Sequence, residues 1–154
     1  MQPRRLFLKE SLTFIELALI MVIIGIIAAV VIPRVGRSGL FEKYEVYTAA
    51  HQVASDLRLT QRLAVTSLAQ HRLLFFNNYT NYVIQRFGVN ATWNATSVVK
   101  NISSGITVNV GVNDTNATFN YDGSSDADHF FNYSLAGFNY NVSVKMATGR
   151  VKVQ

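Results

Sequence analysis

Eight Asn-x-Ser/Thr triplets begin at Asn78, Asn90, Asn94, Asn101, Asn113, Asn116, Asn132 and Asn141. A carboxamide followed two residues later by a hydroxyl is the acceptor pattern for N-linked sugar transfer. With 13 asparagines and 22 Ser and Thr residues in the chain, composition alone gives roughly two such triplets, so the pairing implies modification. A second distinctive group is Glu16, the one formal charge among the 21 residues from Leu12 to Ile32. An ionised carboxylate in lipid costs about 2.5–3.5 kcal/mol at a helix centre and less near an end. Glu16 therefore needs a partner. Catalytic chemistry finds little to work with. His51, His71 and His129 have no carboxylate at triad or ligand spacing, and no nucleophile sits in a recognisable turn motif. No catalytic residue is assigned. Asp122, Asp126 and Asp128 could face a hard cation, but the EF-hand order and its terminal bidentate Glu are missing. A solvated loop is the simpler reading, and no metal or cofactor is assigned. Arg150 and Lys152 could touch DNA phosphates, although a basic pair on an edge strand more commonly serves solvation or protects the edge.

The element that must position Glu16 is the apolar run itself. As a helix it would be about 31 Å long at about 1.5 Å per residue, which matches the hydrocarbon core of a bilayer. Arg4, Arg5 and Lys9 precede it, and Arg34 and Arg37 come after it. A secretory signal has a shorter core with a small-residue cleavage site at its end; here Ala28-Ala29 lies inside the run. The order Ser11-Leu12-Thr13-Phe14-Ile15-Glu16 leading into an apolar helix resembles the processing site of type IV pilins and type II secretion pseudopilins. Ser11 stands where that family usually has Gly, and Leu12 where it usually has Phe. Gly25 and Pro33 fall where many pilins carry helix-weakening residues. The resemblance implies that a prepilin peptidase cuts between Ser11 and Leu12 and methylates the Leu12 amine. It also implies that Glu16 pairs with the amine of a neighbouring subunit, and that the helix loosens between Gly25 and Pro33 during assembly.

Composition bounds the remainder. With 154 residues and one membrane segment, there is room for one further domain of about 100 residues. The absence of cysteine excludes disulfides and thiol chemistry. The net charge is +5, of which residues 1–11 contribute +2. Those leader cations favour a cytoplasmic N-terminus, placing the residues after Pro33 outside. No Lys or Arg occurs between Lys100 and Lys145, a distribution unlike that of a nucleic-acid-binding domain.

Val46, Ala50, Val53, Leu57, Ala64 and Leu68 recur at helical spacing, giving a second helix over 40–70 whose stripe packs on a sheet. The economical arrangement is one long bent helix, Leu12 to Gln70. The period then becomes two: Arg72–Phe76 and Tyr82–Phe87 form a hairpin, Ile106–Val112, Phe119–Tyr121 and Phe138–Met146 alternate, and Arg150–Gln154 ends the chain. That makes an α+β chain: a long N-terminal helix, then an antiparallel sheet domain of about six strands over 72–154. The expected organisation is a leader over 1–11, a membrane and filament-core helix over 12–39, and a globular domain over 40–154. The segment Ala54–Ala64 and the terminal Thr148-Gly149-Arg150-Val151-Lys152-Val153 are similar to H-type minor pseudopilins. On this reading Asn116 and Asn141 lie on polar strand faces, and the other six sequons lie in polar connections.

The expected function is a structural subunit of a type IV pilus-like extracellular filament, a homo-oligomer built through the N-terminal helix and N-glycosylated. Its precursor would sit in the cytoplasmic membrane and meet a prepilin peptidase and an assembly platform. The alternatives are a minor H-like pseudopilin or minor pilin initiating a secretion or DNA-uptake pseudopilus, and a membrane-anchored binding module that never polymerises.

Overall fold

The computed structural model describes residues 13–37, 39–111 and 115–154. The chain divides into two compact units, Met1–Leu40 and Phe41–Gln154. The first contains helix α1, Phe14–Arg37. The second contains nearly all of helix α2, Leu40–Ser67, and every strand.

The expectation of one continuous helix to Gln70 is corrected at both ends of α2. Gly39 has φ +63°, the left-handed conformation that ends a helix at the position after its cap, so α1 and α2 are separate helices. At the far end, α2 stops at Ser67 because Leu68 turns left-handed, with φ +50°. The Ala69 N–H donates to the Ala64 carbonyl at 3.3 Å, the long bond of a Schellman closure. Leucine is a costly occupant of that position. Instead of continuing the buried stripe, Leu68 is 78% exposed, because the backbone reversal swings it off that face.

The stripe before it is real. Val46, Ala49, Ala50, Val53, Ala54, Leu57, Thr60 and Ala64 are buried. Four of the eight are alanines, which lets the sheets approach the helix axis closely. The sheets are two. The first carries β1 (His71–Phe76), β2 (Asn81–Phe87), β3 (Trp93–Ala95), β4 (Lys100–Asn101) and β6 (Asn116–Phe119). Its order is β3-β2-β1-β6, with β4 also pairing β2. Strands β3 and β4 take successive stretches of β2, at Gln85–Phe87 and at Asn81–Tyr82. The second sheet carries β5 (Thr107–Val110), β7 (His129–Leu135), β8 (Phe138–Val144) and β9 (Val151–Val153) in the order β5-β7-β8-β9. All described pairings are antiparallel.

Leu73, Phe75, Tyr82 and Phe119 from the first sheet meet Phe131, Tyr133, Val142 and Val144 from the second, in one core under α2. The rings of Phe75 and Phe131 lie 5.0 Å apart and join the sheets. Each large side chain buried here contributes about 1.5–3 kcal/mol. Three strands go beyond the expected six. In β7, the adjacent Phe130 and Phe131 obscure the alternation: Phe131 is fully buried, whereas Phe130 is half exposed beneath the Lys145 ammonium. Strands β3 and β4 have three and two residues, too short to show a period. Ile106, expected to open a strand, lies just before β5 and is buried, and Tyr121 and Met146, also expected in strands, lie outside them. Tyr121 sits in the turn after β6 and is 63% exposed, and Met146 lies past the end of β8 and is 56% exposed.

One polar cluster fastens the first sheet to the helix. Asp56, buried on α2, accepts from Lys100 Nζ at 2.7 and 2.9 Å and from the Tyr82 hydroxyl at 2.7 Å. Burial, reinforced by the Asp56 carboxylate, pushes the Tyr82 hydroxyl pKa well up. Lys100 is the first residue of β4, so this ion pair clips a two-residue strand onto the core.

Both the cluster and the left-handed leucine can be tested by unfolding. Lys100→Met strands a buried carboxylate and should cost about 2 kcal/mol in urea unfolding, below the usual figure for a fully buried pair because the Lys100 side chain is 39% exposed. Asp56→Leu and Tyr82→Phe added to it, which remove the carboxylate and the hydroxyl that donates to it, should recover most of that loss; no recovery would mean the cluster is not an ion-pair lock. Leu68→Gly in unglycosylated protein should raise stability by about 1 kcal/mol by relieving the left-handed leucine, and a lower melting temperature would contradict that assignment.

Candidate functional site

Helix α1 presents the first candidate surface. Its stretch Phe14–Pro33 has mean hydropathy 3.1, and none of it is buried. Thr13 caps the helix, and its carbonyl accepts from the Leu17 N–H at 3.1 Å. Glu16 reaches back to accept from the Thr13 backbone N–H at 2.8 Å and the Thr13 hydroxyl at 3.0 Å, both on Oε2. This is the backward half of a capping box, in which a carboxylate in the first turn satisfies an otherwise unpaired donor. The spacing Thr-x-x-Glu carries that signal, and sequence reasoning finds in Glu16 only an assembly charge. Among the described residues Oε1 makes no hydrogen bond, so the carboxylate can hold its own helix start and still face a cation. Ser11 and Leu12 lie outside the described residues. The helix runs unbroken through Gly25 and Pro33, and a side chain added at Gly25 would meet open space.

Seven of the eight sequon asparagines are described; Asn113 lies outside. Asn78, Asn90, Asn94, Asn101 and Asn141 are exposed, and Asn116 and Asn132 are half-buried. Asn78 comes after β1 in a turn where Asn77, Asn78 and Tyr79 all have positive φ, and asparagine tolerates that conformation better than most residues. Asn90 lies in the turn before β3. Asn94, Asn101 and Asn132 lie in β3, β4 and β7, not in the polar connections expected for them. In β8, Asn139 and Asn141 are exposed while Val142 and Val144 are buried, as the alternation implies.

The second sheet brings two sequons together. Asn132 pairs across strands with Asn141, and its Nδ2 donates to Asn141 Oδ1 at 2.6 Å. Asn109 extends this line on β5, and Gln154 extends it beyond β8 through paired backbone bonds of 2.8 Å. Four carboxamides thus cross the sheet in one row, next to a row of Thr107, Ser134 and Asn139.

The remaining candidates are held by internal partners. Contrary to expectation, His129 has a carboxylate: its Nε2 lies 2.8 Å from Asp126 Oδ1, with the ring buried. His71 is buried and bonded to the Ala69 carbonyl, and His51 stacks near Tyr47. Asp122 accepts from the Ser124 hydroxyl and amide, which lower its pKa. The Lys145 ammonium and the Met146 amide do the same for Asp128. The three loop carboxylates therefore turn to different partners, and among the described residues no acidic or histidine cluster is arranged for a metal. Arg150 and Lys152 are exposed and share a shallow cleft with Lys145, whose charge is matched by Asp128. Gly149, with φ +59°, is packed so closely on the Gly123 carbonyl that a Cβ would collide with it. Gln61 of α2 bonds Gly123 and Thr148 from below, so the glycine of this terminal motif has a packing role.

No family model and no curated protein matches the sequence. Solved structures do. The minor pseudopilin EpsH of the Type 2 Secretion System of Vibrio cholerae superposes with a TM-score of 0.62 at 10% identity, covering 71% of this chain and 96% of that one. The type IV minor pilin FimU of Pseudomonas aeruginosa superposes with a TM-score of 0.63 at 15% identity, covering 75% and 92%. The chain has the α+β fold of the type IV minor pilins and minor pseudopilins.

Proposed function

We propose that this protein is a structural subunit of a type IV pilus-like extracellular filament, polymerising through α1, with several surface asparagines carrying N-linked sugars. The observation that carries the reading is the apolar stretch Phe14–Pro33, 20 residues with none buried, in a chain with the minor pilin fold. Such a surface is stable only in lipid or against other copies of itself. The precursor sits in the cytoplasmic membrane with its globular unit outside. A prepilin peptidase removes residues 1–11 and methylates Leu12, and an assembly platform moves the subunit into the filament. There Glu16 pairs with the Leu12 amine of a neighbour, since a carboxylate among packed Leu, Ile and Val side chains needs a cation. Pro33 lacks the N–H that would bond back to Ala29 and Gly25 has low helix propensity, so the helix loosens between them under filament packing. The role is structural rather than catalytic.

A second reading is a minor subunit that initiates a pilus or secretion pseudopilus. The likeness to EpsH and FimU, both minor components, favours it. Subunit abundance in sheared filaments separates the two.

Glu16→Leu should leave the protein stable in the membrane and exclude it from filaments formed beside wild-type copies. Equal incorporation would show that the carboxylate serves only its own helix cap. The row that joins Asn132 to Asn141 makes a further expectation: directly opposed side chains are about 5 Å apart, which leaves no space for two sugars side by side. Mass analysis of the β7–β8 hairpin from native material should find one or neither modified, and a doubly modified hairpin would contradict this.

A further inference from the structure

Where α2 ends beside the first sheet, an open groove of about 760 Å³ is lined mainly by apolar side chains. Leu68 is 78% exposed in it, Val89 fully and Tyr121 63%, with Phe87 at its margin. Leu68 is doubly disfavoured there, by its left-handed backbone and by its contact with water. The protein retains a patch that the described residues leave uncovered.

A sequon forms the wall of this groove. Asn94 lies on edge strand β3, opposite Arg86, and both residues face the groove. The Asn94 amide nitrogen rests against the backbone of Gly88: a Cβ at that glycine would stand 2.8 Å from Nδ2. Gly88 thus leaves room for the atom that would carry a sugar. A pyranose ring has one face of C–H groups and a rim of hydroxyls. The first suits Leu68, Val89 and Tyr121; the second suits the Arg86 guanidinium and the Gln70 side-chain oxygen, whose amide nitrogen donates to Asn120 Oδ1 at 3.0 Å.

We propose that this groove seats the first sugars of an N-linked glycan on Asn94, so that this glycan is part of the folded surface. The inference rests on the glycosylation reading above. Transfer from a lipid-linked sugar phosphate donor forms the bond from Nδ2 to the anomeric carbon and breaks that carbon's bond to phosphate oxygen. The amide proton and the lipid phosphate are released.

The test compares full-length protein from its native cells with Asn94→Gln and, as a control, Asn78→Gln, whose site does not line the groove. Glycopeptide mass spectrometry reads occupancy, and hydroxyl-radical footprinting reads the exposure of Leu68, Val89 and Tyr121. Sugar on Asn94, with oxidation of the three residues rising several-fold in Asn94→Gln and unchanged in Asn78→Gln, is the expected result. Thr96→Ala removes the same sequon while keeping the asparagine, and should reproduce the rise if Asn94→Gln fails to fold. Sugar on Asn94 without a rise in oxidation overturns the groove assignment and leaves glycosylation standing. Sugar on other sequons with Asn94 bare does the same. Bare asparagines at all eight positions overturn both.

Discussion

A run of twenty apolar residues, none of them buried among the described residues, is the constraint that governs this protein. Every side chain of α1 that faces water imposes a cost of roughly 25 cal/mol per Å² of apolar area, and twenty residues of it cannot remain in solution. The globular unit has a core of its own, in which the buried stripe of α2 is covered by two sheets. A single carboxylate then becomes consequential, since its charge is tolerable near a membrane surface and intolerable when buried alone. The capping-box contacts with Thr13 show how Glu16 is accommodated within its own helix: it satisfies the first unpaired donor there, where the helix dipole also favours a negative charge.

Much of this is legible in the residue order. The apolar run, the stripe on α2, the β1–β2 hairpin and the alternation of β8 can be read from spacing alone, because each is a local periodicity. The features that escape are non-local or too short to repeat. Asp56 and Lys100 are 44 residues apart, and nothing in either neighbourhood announces the other. Strands β3 and β4 exist because β2 offers them an edge, so their structure belongs to the pairing and not to their own composition. In β7 the Phe130-Phe131 doublet breaks the visible alternation, although His129, Phe131 and Tyr133 all point inward. His129 finds its carboxylate three residues upstream, in a loop whose composition suggests only solvation.

The groove beside Asn94 is illegible for a related reason. It is assembled from the end of α2, the stretch from β2 through the following turn and β3, and the turn after β6, three segments that share no motif. The sequence exposes the sequon, and the fold reveals the neighbours of its asparagine. The same holds for Asn132 and Asn141, whose pairing depends on the register of β7 against β8.

That register has another consequence. The rows of Asn109, Asn132, Asn141 and Gln154, and of Thr107, Ser134 and Asn139, carry neutral amide and hydroxyl side chains, with a side-chain bond between Asn132 and Asn141. Screening, which weakens exposed ionic contacts beyond about 8 Å at physiological salt, has little to act on there, and these side chains gain or lose no proton between strong acid and mild alkali. The two rows therefore keep the same hydrogen-bonding groups in brine, acid and fresh water, and the salt dependence of that face falls to neighbours such as Lys152, paired with Ser143 beside them.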